Sequence, residues 1–257
     1  MLSSFVVNPL DFTGAYSKSS KPTNTRTNTN PKGAAPSSSP DPQSIIARTA
    51  LSLEYASLRH QNHCPLGMYV VPSSDLFVWD AVLFVHQGYY AGAVLRFRLT
   101  FPNDYPDKMP TIQFVTDIFH PLIDPKGYFN LGAHFRPWKP KEHHIYHVLY
   151  HIKAAFKKYR LDQFKEADTW NKEAYRYCYL LIHVVRRYHE STSSFSALAT
   201  QSSQLTRSEP ALYDKDHPSF TGQPGDGLAF QKLSPEKLRE YRQKFGLREW
   251  VDEPNES

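Results

Sequence analysis

Apolar and polar residues alternate with a period of two from Val94 to Phe101. Leu95, Phe97, Leu99 and Phe101 fall on one face, and Arg96, Arg98 and Thr100 on the other. This pattern predicts a half-buried antiparallel strand with Arg96 and Arg98 turned to solvent. Met68 to Val71 and Phe77 to Val85, both rich in β-branched and aromatic residues, precede it, and Gly88 to Gly92 supplies a turn. Thr111 to Val115 follows, with Pro102, Pro106 and Pro110 keeping the intervening connection out of the ladder. A four-stranded antiparallel meander is expected.

Helical periods flank the strands. Ser44 can cap a helix that runs to about His60. Ile46, Ala50 and Leu53 make one apolar line and Leu51, Tyr55 and Leu58 a second, so this helix is expected to be covered on both sides. After the strands, Ile145, Val148, Leu149, Ile152 and Phe156 form one stripe of a helix from His143 to about Lys158, suited to pack on the sheet. Asp162 to Tyr188 reads as one or two more helices, with Trp170, Tyr175, Tyr179, Leu180 and Val184 as core candidates. An N-terminal helix, a meander and C-terminal helices make an α+β fold.

Three segments follow from this pattern. Residues 1–43 hold a short apolar patch (Leu2, Phe5, Val6, Val7) and then turn to Ser, Thr, Asn, Lys and Pro, the composition of a disordered tail. Residues 44–188 carry nearly all the periodic apolar positions and form the core. Residues 189–257 read as a linker, Ser/Thr/Gln-rich over 191–208, and a mostly disordered tail. Within that tail Ser234-Pro235 starts a short helix ending near Gly246, followed by Leu247 and Trp250.

Composition narrows the classes of function. A net charge of +5 and a pI near 9.0 come from scattered rather than clustered charges, which describes a solvated surface more than a nucleic-acid footprint. Two cysteines, Cys64 and Cys178, have no framework spacing and point to a reducing compartment. No basic-then-apolar leader is seen, and no stretch reaches the roughly 18–20 apolar residues of a membrane span, so a cytoplasmic protein is expected. His144, His147 and His151 share one helix face opposite the apolar stripe, but no Cys or carboxylate stands at ligand spacing, so neither metal nor cofactor is expected. There is no nucleophile elbow and no Gly-rich phosphate loop.

The segment from Phe101 to Trp138 is the most specific. It reads Phe101-Pro-Asn-Asp-Tyr105-Pro106-Asp-Lys-Met-Pro110, Phe119-His120-Pro121-Leu122, Gly127-Tyr128-Phe129-Asn130-Leu131 and Trp138-Lys139-Pro140. This order resembles the ubiquitin-conjugating enzyme core: a Tyr-Pro-x-x-Pro-Pro-like turn, a His-Pro-Asn turn, a Gly-x-Ile-Cys-Leu segment and Trp-Ser-Pro. With no gap from Gly127 to Pro140, the family's cysteine falls on Asn130 and the Asn of its His-Pro-Asn turn on Leu122. Such an enzyme needs a thiolate to carry ubiquitin as a thioester and an amide donor for the oxyanion. Neither residue can serve. The resemblance therefore implies a degenerate site of Asn130, Leu122 and His120, with no catalytic residue and His120 as a hydrogen-bonded brace.

His120-Pro121-Leu122-Ile123-Asp124-Pro125, Trp138 and His144-Ile145-x-x-Val148-Leu149 are similar to the FTS subfamily of AKT-interacting-protein and crossbronx-like variants, over about residues 44–188. That resemblance implies an adaptor acting with Hook-like and FHIP-like proteins in vesicle trafficking. The alternative is a ubiquitin-system variant that binds ubiquitin or assists an active conjugating enzyme. Aromatic side chains commonly anchor interfaces, which makes Tyr128 and Phe135 candidates for partner binding, with Leu247 and Trp250 as the other candidate surface.

Overall fold

A computed structural model describes residues 42–60, 63–161, 163–179, 194–213, 228 and 230–246. The expectations for residues 1–41 and for Leu180, Val184, Leu247 and Trp250 lie outside the described residues, as does the side chain of Tyr179.

Strands β1 (Met68–Pro72), β2 (Val78–Phe84), β3 (Val94–Thr100) and β4 (Thr111–Phe114) form an antiparallel sheet in sequence order. The register sets Trp79 opposite Leu99, Ala81 opposite Phe97 and Leu83 opposite Leu95, then Phe97 opposite Phe114. The alternating apolar residues of neighbouring strands thus share one face. Helix α2 (Ile145–Ala155) brings Ile145, Val148, Leu149 and Ile152, all 0% exposed, into the same core. Burial of each such side chain stabilises the fold by about 1.5–3 kcal/mol. The α+β arrangement is the one expected from the periodicities.

Helix α1 (Pro42–His60) departs from expectation in two ways. It starts at Pro42, so Ser44 lies inside the helix rather than at its cap. It is also covered on one side only. Ala47, Leu51 and Leu58 are buried, and Tyr55 meets the edge of Trp79 at 5.5 Å, whereas Ile46 and Leu53 are 62% and 67% exposed. The sheet and α2 lie against one face of α1, and among the described residues nothing covers the other.

The outer face of the sheet also differs from expectation. Arg96 does not point to solvent; it is 6% exposed. Its guanidinium donates to the Leu212 carbonyl and lies 4.8 Å from the centre of the Phe230 ring. Burial pushes its pKa down to about 10, so it stays charged at neutral pH. Arg98 is part-buried and pairs with Asp80 at 2.9 Å. Val82, Val94, Leu212 and Phe230 form a second apolar cluster, so β3 is packed from both sides.

The chain that covers this face was expected to be linker and tail. It contains α5 (Ser194–Leu205), α6 (Glu209–Tyr213) and α7 (Pro235–Lys244). Phe195 and Ala199 of α5 are fully buried in the main core, so the core does not close at residue 188. Just beyond α5, the Thr206 hydroxyl accepts from the Val94 amide at 3.0 Å. Helix α7 begins as expected, with the Ser234 hydroxyl accepting from the Lys237 amide. Two shorter helices, α3 (Lys158–Leu161) and α4 (Lys172–Tyr179), connect α2 to this region. In α4 it is Ala174 and Cys178 that are buried, while Trp170, a core candidate by pattern, is 48% exposed. Asn171 caps α4 by accepting from the Ala174 amide at 2.9 Å, which leaves Trp170 outside the helix and off its apolar face.

Candidate functional site

The loop from Phe119 to Trp138 is fastened to β4 by backbone hydrogen bonds. The Phe114 amide donates to the Gly127 carbonyl at 2.7 Å, and the Phe129 amide to the Ile112 carbonyl at 3.0 Å. Gly127 holds φ +84 there, and a Cβ on it would overlap the Phe114 carbonyl, so only glycine suits the turn. The Asp124 carboxylate closes the same turn by accepting from the Lys126 and Tyr128 amides at 2.9 and 2.8 Å.

His120, Leu122 and Asn130, the three residues singled out by the resemblance, meet in this loop. The Asn130 amide donates to the Leu122 carbonyl at 2.9 Å, and the Leu122 amide donates to Nδ1 of His120 at 3.1 Å. With Nδ1 accepting, the proton of His120 sits on Nε2, which faces the Ala155 carbonyl at 3.1 Å. His120 thus ties the loop to the end of α2 as a neutral ring. Complete burial pushes its pKa down to about 4, the Ala155 bond opposing this only in part.

Asn130 is 6% exposed and Leu122 0%. The Asn130 carboxamide donates from Nδ2 to the Asp168 carbonyl at 2.8 Å, and the Trp170 and Asn171 amides donate to the Pro121 carbonyl at 3.1 and 3.0 Å. The chain ahead of α4 therefore closes over the loop. A carboxamide held this way is a donor and acceptor, not a nucleophile at neutral pH. Leu122 offers no side-chain donor.

The two thiols lie elsewhere. The Cys64 Sγ donates to the Met68 carbonyl at 3.3 Å, and burial pushes its pKa up. Cys178 is buried in α4, with Sγ 3.9 Å from the Leu161 carbonyl.

The partner-binding candidates separate. Tyr128 is 37% exposed. Phe135, expected at the surface, is 3% exposed and packs edge-on against Trp138, His143 and His151 at 5.8, 5.1 and 5.5 Å, so it belongs to the core. Trp170 is the exposed aromatic that periodicity missed. Its position directly before the capping Asn171 is the signal that could have revealed it.

The histidines of α2 do not share a solvent face either. His144 precedes the helix, with Nδ1 2.8 Å from Glu54, and Glu54 also accepts from the Ile145 amide and the Tyr105 hydroxyl at 3.2 Å each. His151 is 6% exposed and stacks on His134 at 4.4 Å with an interplanar angle of 5°. Burial, and then the neighbouring His134 and Arg160, push its pKa down to about 3. Among the described residues no group of three or more His, Cys, Asp or Glu is placed to hold a metal ion. No helix among them is long and apolar enough to cross a membrane.

A helix, a four-stranded meander, a braced His-Pro loop and a following core helix define a ubiquitin-conjugating-enzyme fold, and the family model for ubiquitin-conjugating enzyme matches residues 50–179. The chain belongs to that family. Within it, the chain is similar to crossbronx-like proteins of Drosophila mojavensis (40% identical) and Drosophila melanogaster (42%), and to a crossbronx homolog of Culex quinquefasciatus (43%), each over 94 residues. Those residues are 35% of this chain and 37%, 35% and 41% of the respective relatives, so the likeness spans well under half of each protein.

Proposed function

We propose that this protein is a catalytically inactive ubiquitin-conjugating-enzyme variant that acts as a protein–protein interaction adaptor. One observation carries the reading. Asn130, which stands at the family's cysteine position in the resemblance, is buried and holds the Asp168 carbonyl, so it braces the loop where an active enzyme needs an open thiolate. Leu122 at the second position supplies no oxyanion donor. The surface around the loop suits recognition instead. Exposed Tyr128 and Trp170 are joined by backbone hydrogen bonds to the same turn, Asp124 to Tyr128 and Trp170 to Pro121. By resemblance the partners are Hook-like and FHIP-like proteins, and the setting is cytoplasmic vesicle trafficking.

The test supplies the full chain with activating enzyme, ATP and ubiquitin. No reducible ubiquitin adduct is expected. Asn130→Cys alone is expected to transfer poorly to lysine, since loss of one oxyanion donor costs roughly 10²–10³ in rate. A reducible adduct on the unaltered chain overturns the inactive reading. For the adaptor role, purified Hook-like and FHIP-like proteins are expected to bind the chain and to lose affinity for a stably folded Tyr128→Ala/Trp170→Ala variant. Capture of ubiquitin or an active conjugating enzyme in their place would move the protein into the ubiquitin system.

A further inference from the structure

We propose that the end of the sheet beside the C-terminus of α2 is a docking site for anionic membrane surfaces. A cavity of about 700 Å³ opens there between the β2–β3 turn and the α2–α3 junction. Leu83 and Phe156, both buried, belong to its floor, while Lys153, Lys157 and Lys158 stand on its wall with His86 across from them, and among the described residues no acidic one lines it.

The lysines are held in place around the opening. Lys153 Nζ donates to the Leu66 carbonyl at 2.6 Å. Lys157 lies 5.9 Å from the centre of the Tyr159 ring, and Lys158 lies 5.6 Å from that of Tyr89. An apolar floor under a cationic rim matches a ligand with one anionic end and one apolar end, which is the chemistry of a phospholipid.

Leu66 favours a bilayer over an acidic protein segment. It is 89% exposed, and the Lys153 bond to its carbonyl sets it at the edge of the cavity. An apolar side chain exposed next to Lys153 suits insertion between headgroups while the ammonium groups of the rim meet phosphates. Tyr159 at the rim, 55% exposed, adds an amphipathic ring of the kind favoured at the headgroup level. The site holds a protein at a surface and needs no membrane span.

The test is co-sedimentation of the full chain with two kinds of vesicle, phosphatidylcholine alone and an equimolar mixture with phosphatidylserine. Binding to the mixed vesicles only is expected. Each lysine near an anionic surface contributes roughly fivefold in affinity, so Lys157→Glu/Lys158→Glu is expected to weaken binding by at least about tenfold. Leu66→Ser is expected to weaken it several-fold at unchanged salt. A charge-matched control, Lys126→Glu/Lys141→Glu, changes exposed lysines outside the site and is expected to bind as the unaltered chain does. The proposal is overturned if the mixed vesicles do not sediment the chain. It is also overturned if the control loses as much as the site variant, because binding is then diffuse charge. Lysine-dependent binding of a poly-glutamate peptide without vesicle binding would assign the cavity to an acidic protein segment instead.

Discussion

Lowering the pH should destabilise this protein through two buried histidines, His120 and His151. Both are neutral in the folded state, with pKa values pushed from 6.5 down to about 4 and about 3, mainly by burial. Above pH 6.5 neither state is protonated at these rings and they add no pH dependence. Below it the unfolded chain takes up protons that the folded chain refuses, so stability falls with pH. The loss is about 1.4 kcal/mol per pH unit for each ring, and it levels off only as the pH reaches the folded pKa. From about pH 7.5 to about pH 5 this comes to about 2 kcal/mol each, or about 4 kcal/mol together. That is a large part of the roughly 5–15 kcal/mol that holds a typical domain folded. His134 and His147, also held below their usual range by burial, act in the same direction. The assay is urea unfolding across this pH range for the unaltered chain and for His151→Phe. The substituted ring is apolar, lies among Phe129 and Phe135, and replaces a nitrogen, Nε2, that has no hydrogen-bond partner. The variant should therefore fold and lose about 2 kcal/mol less on acidification. Parallel curves for the two proteins would refute the assignment of this dependence to His151.

Three further outcomes can be checked by the same unfolding measurements or by proteolysis. Glu54→Ala removes the acceptor shared by Tyr105, His144 and the Ile145 amide, and should cost about 2–4 kcal/mol, with Glu54→Gln costing less. Equal stability of Glu54→Ala would show that this carboxylate does not tie α1 to α2. Gly127→Ala sets a side chain against the Phe114 carbonyl at positive φ and should destabilise by about 2–3 kcal/mol or more, and by more than Gly246→Ala, where φ is +63 and the backbone strain remains but no atom lies within 4 Å to clash. Phe230→Ala removes the ring over Arg96 and part of the outer apolar cluster, so residues 230–246 should be cut faster by protease while the core loses at most about 2 kcal/mol. Unchanged cleavage would refute that anchoring.

The meander and α2 were legible because their burial is one-sided and periodic. Leu95, Phe97 and Leu99 alternate in the sequence and on the sheet, and the Ile145–Ile152 stripe meets them. The fold family was legible through motif order rather than pattern, since neither Asn130 nor Leu122 stands out by composition. What stayed hidden was the cover on the outer face. Ser203 and Thr206 are buried, which their polarity argues against, but each hydroxyl bonds to the backbone a turn earlier, Ser203 to Ala199 at 2.6 Å and Thr206 to Ser203 at 2.7 Å. Local bonding of this kind lets a Ser/Thr/Gln-rich helix pack while reading as linker. The burial of Arg96 has a different cause, because the groups it meets, the Leu212 carbonyl and the Phe230 ring, lie far along the chain and leave no local signal. Phe135 and Trp170 exchanged their expected roles because loop residues have no period from which burial can be read.

The packing of β3 from both sides also sets a schedule for the nascent chain. Arg96 is made 116 residues before the Leu212 carbonyl that it will hold. At roughly 5–20 residues per second, that separation is a delay of about 6–23 s. The meander and the α2 stripe emerge first and can condense on their inner face, leaving the outer face with its buried-to-be cation bare to solvent and to other proteins in the cell. Any chaperone or ligand that recognises the bare face competes with a piece of this same polypeptide that has yet to be synthesised.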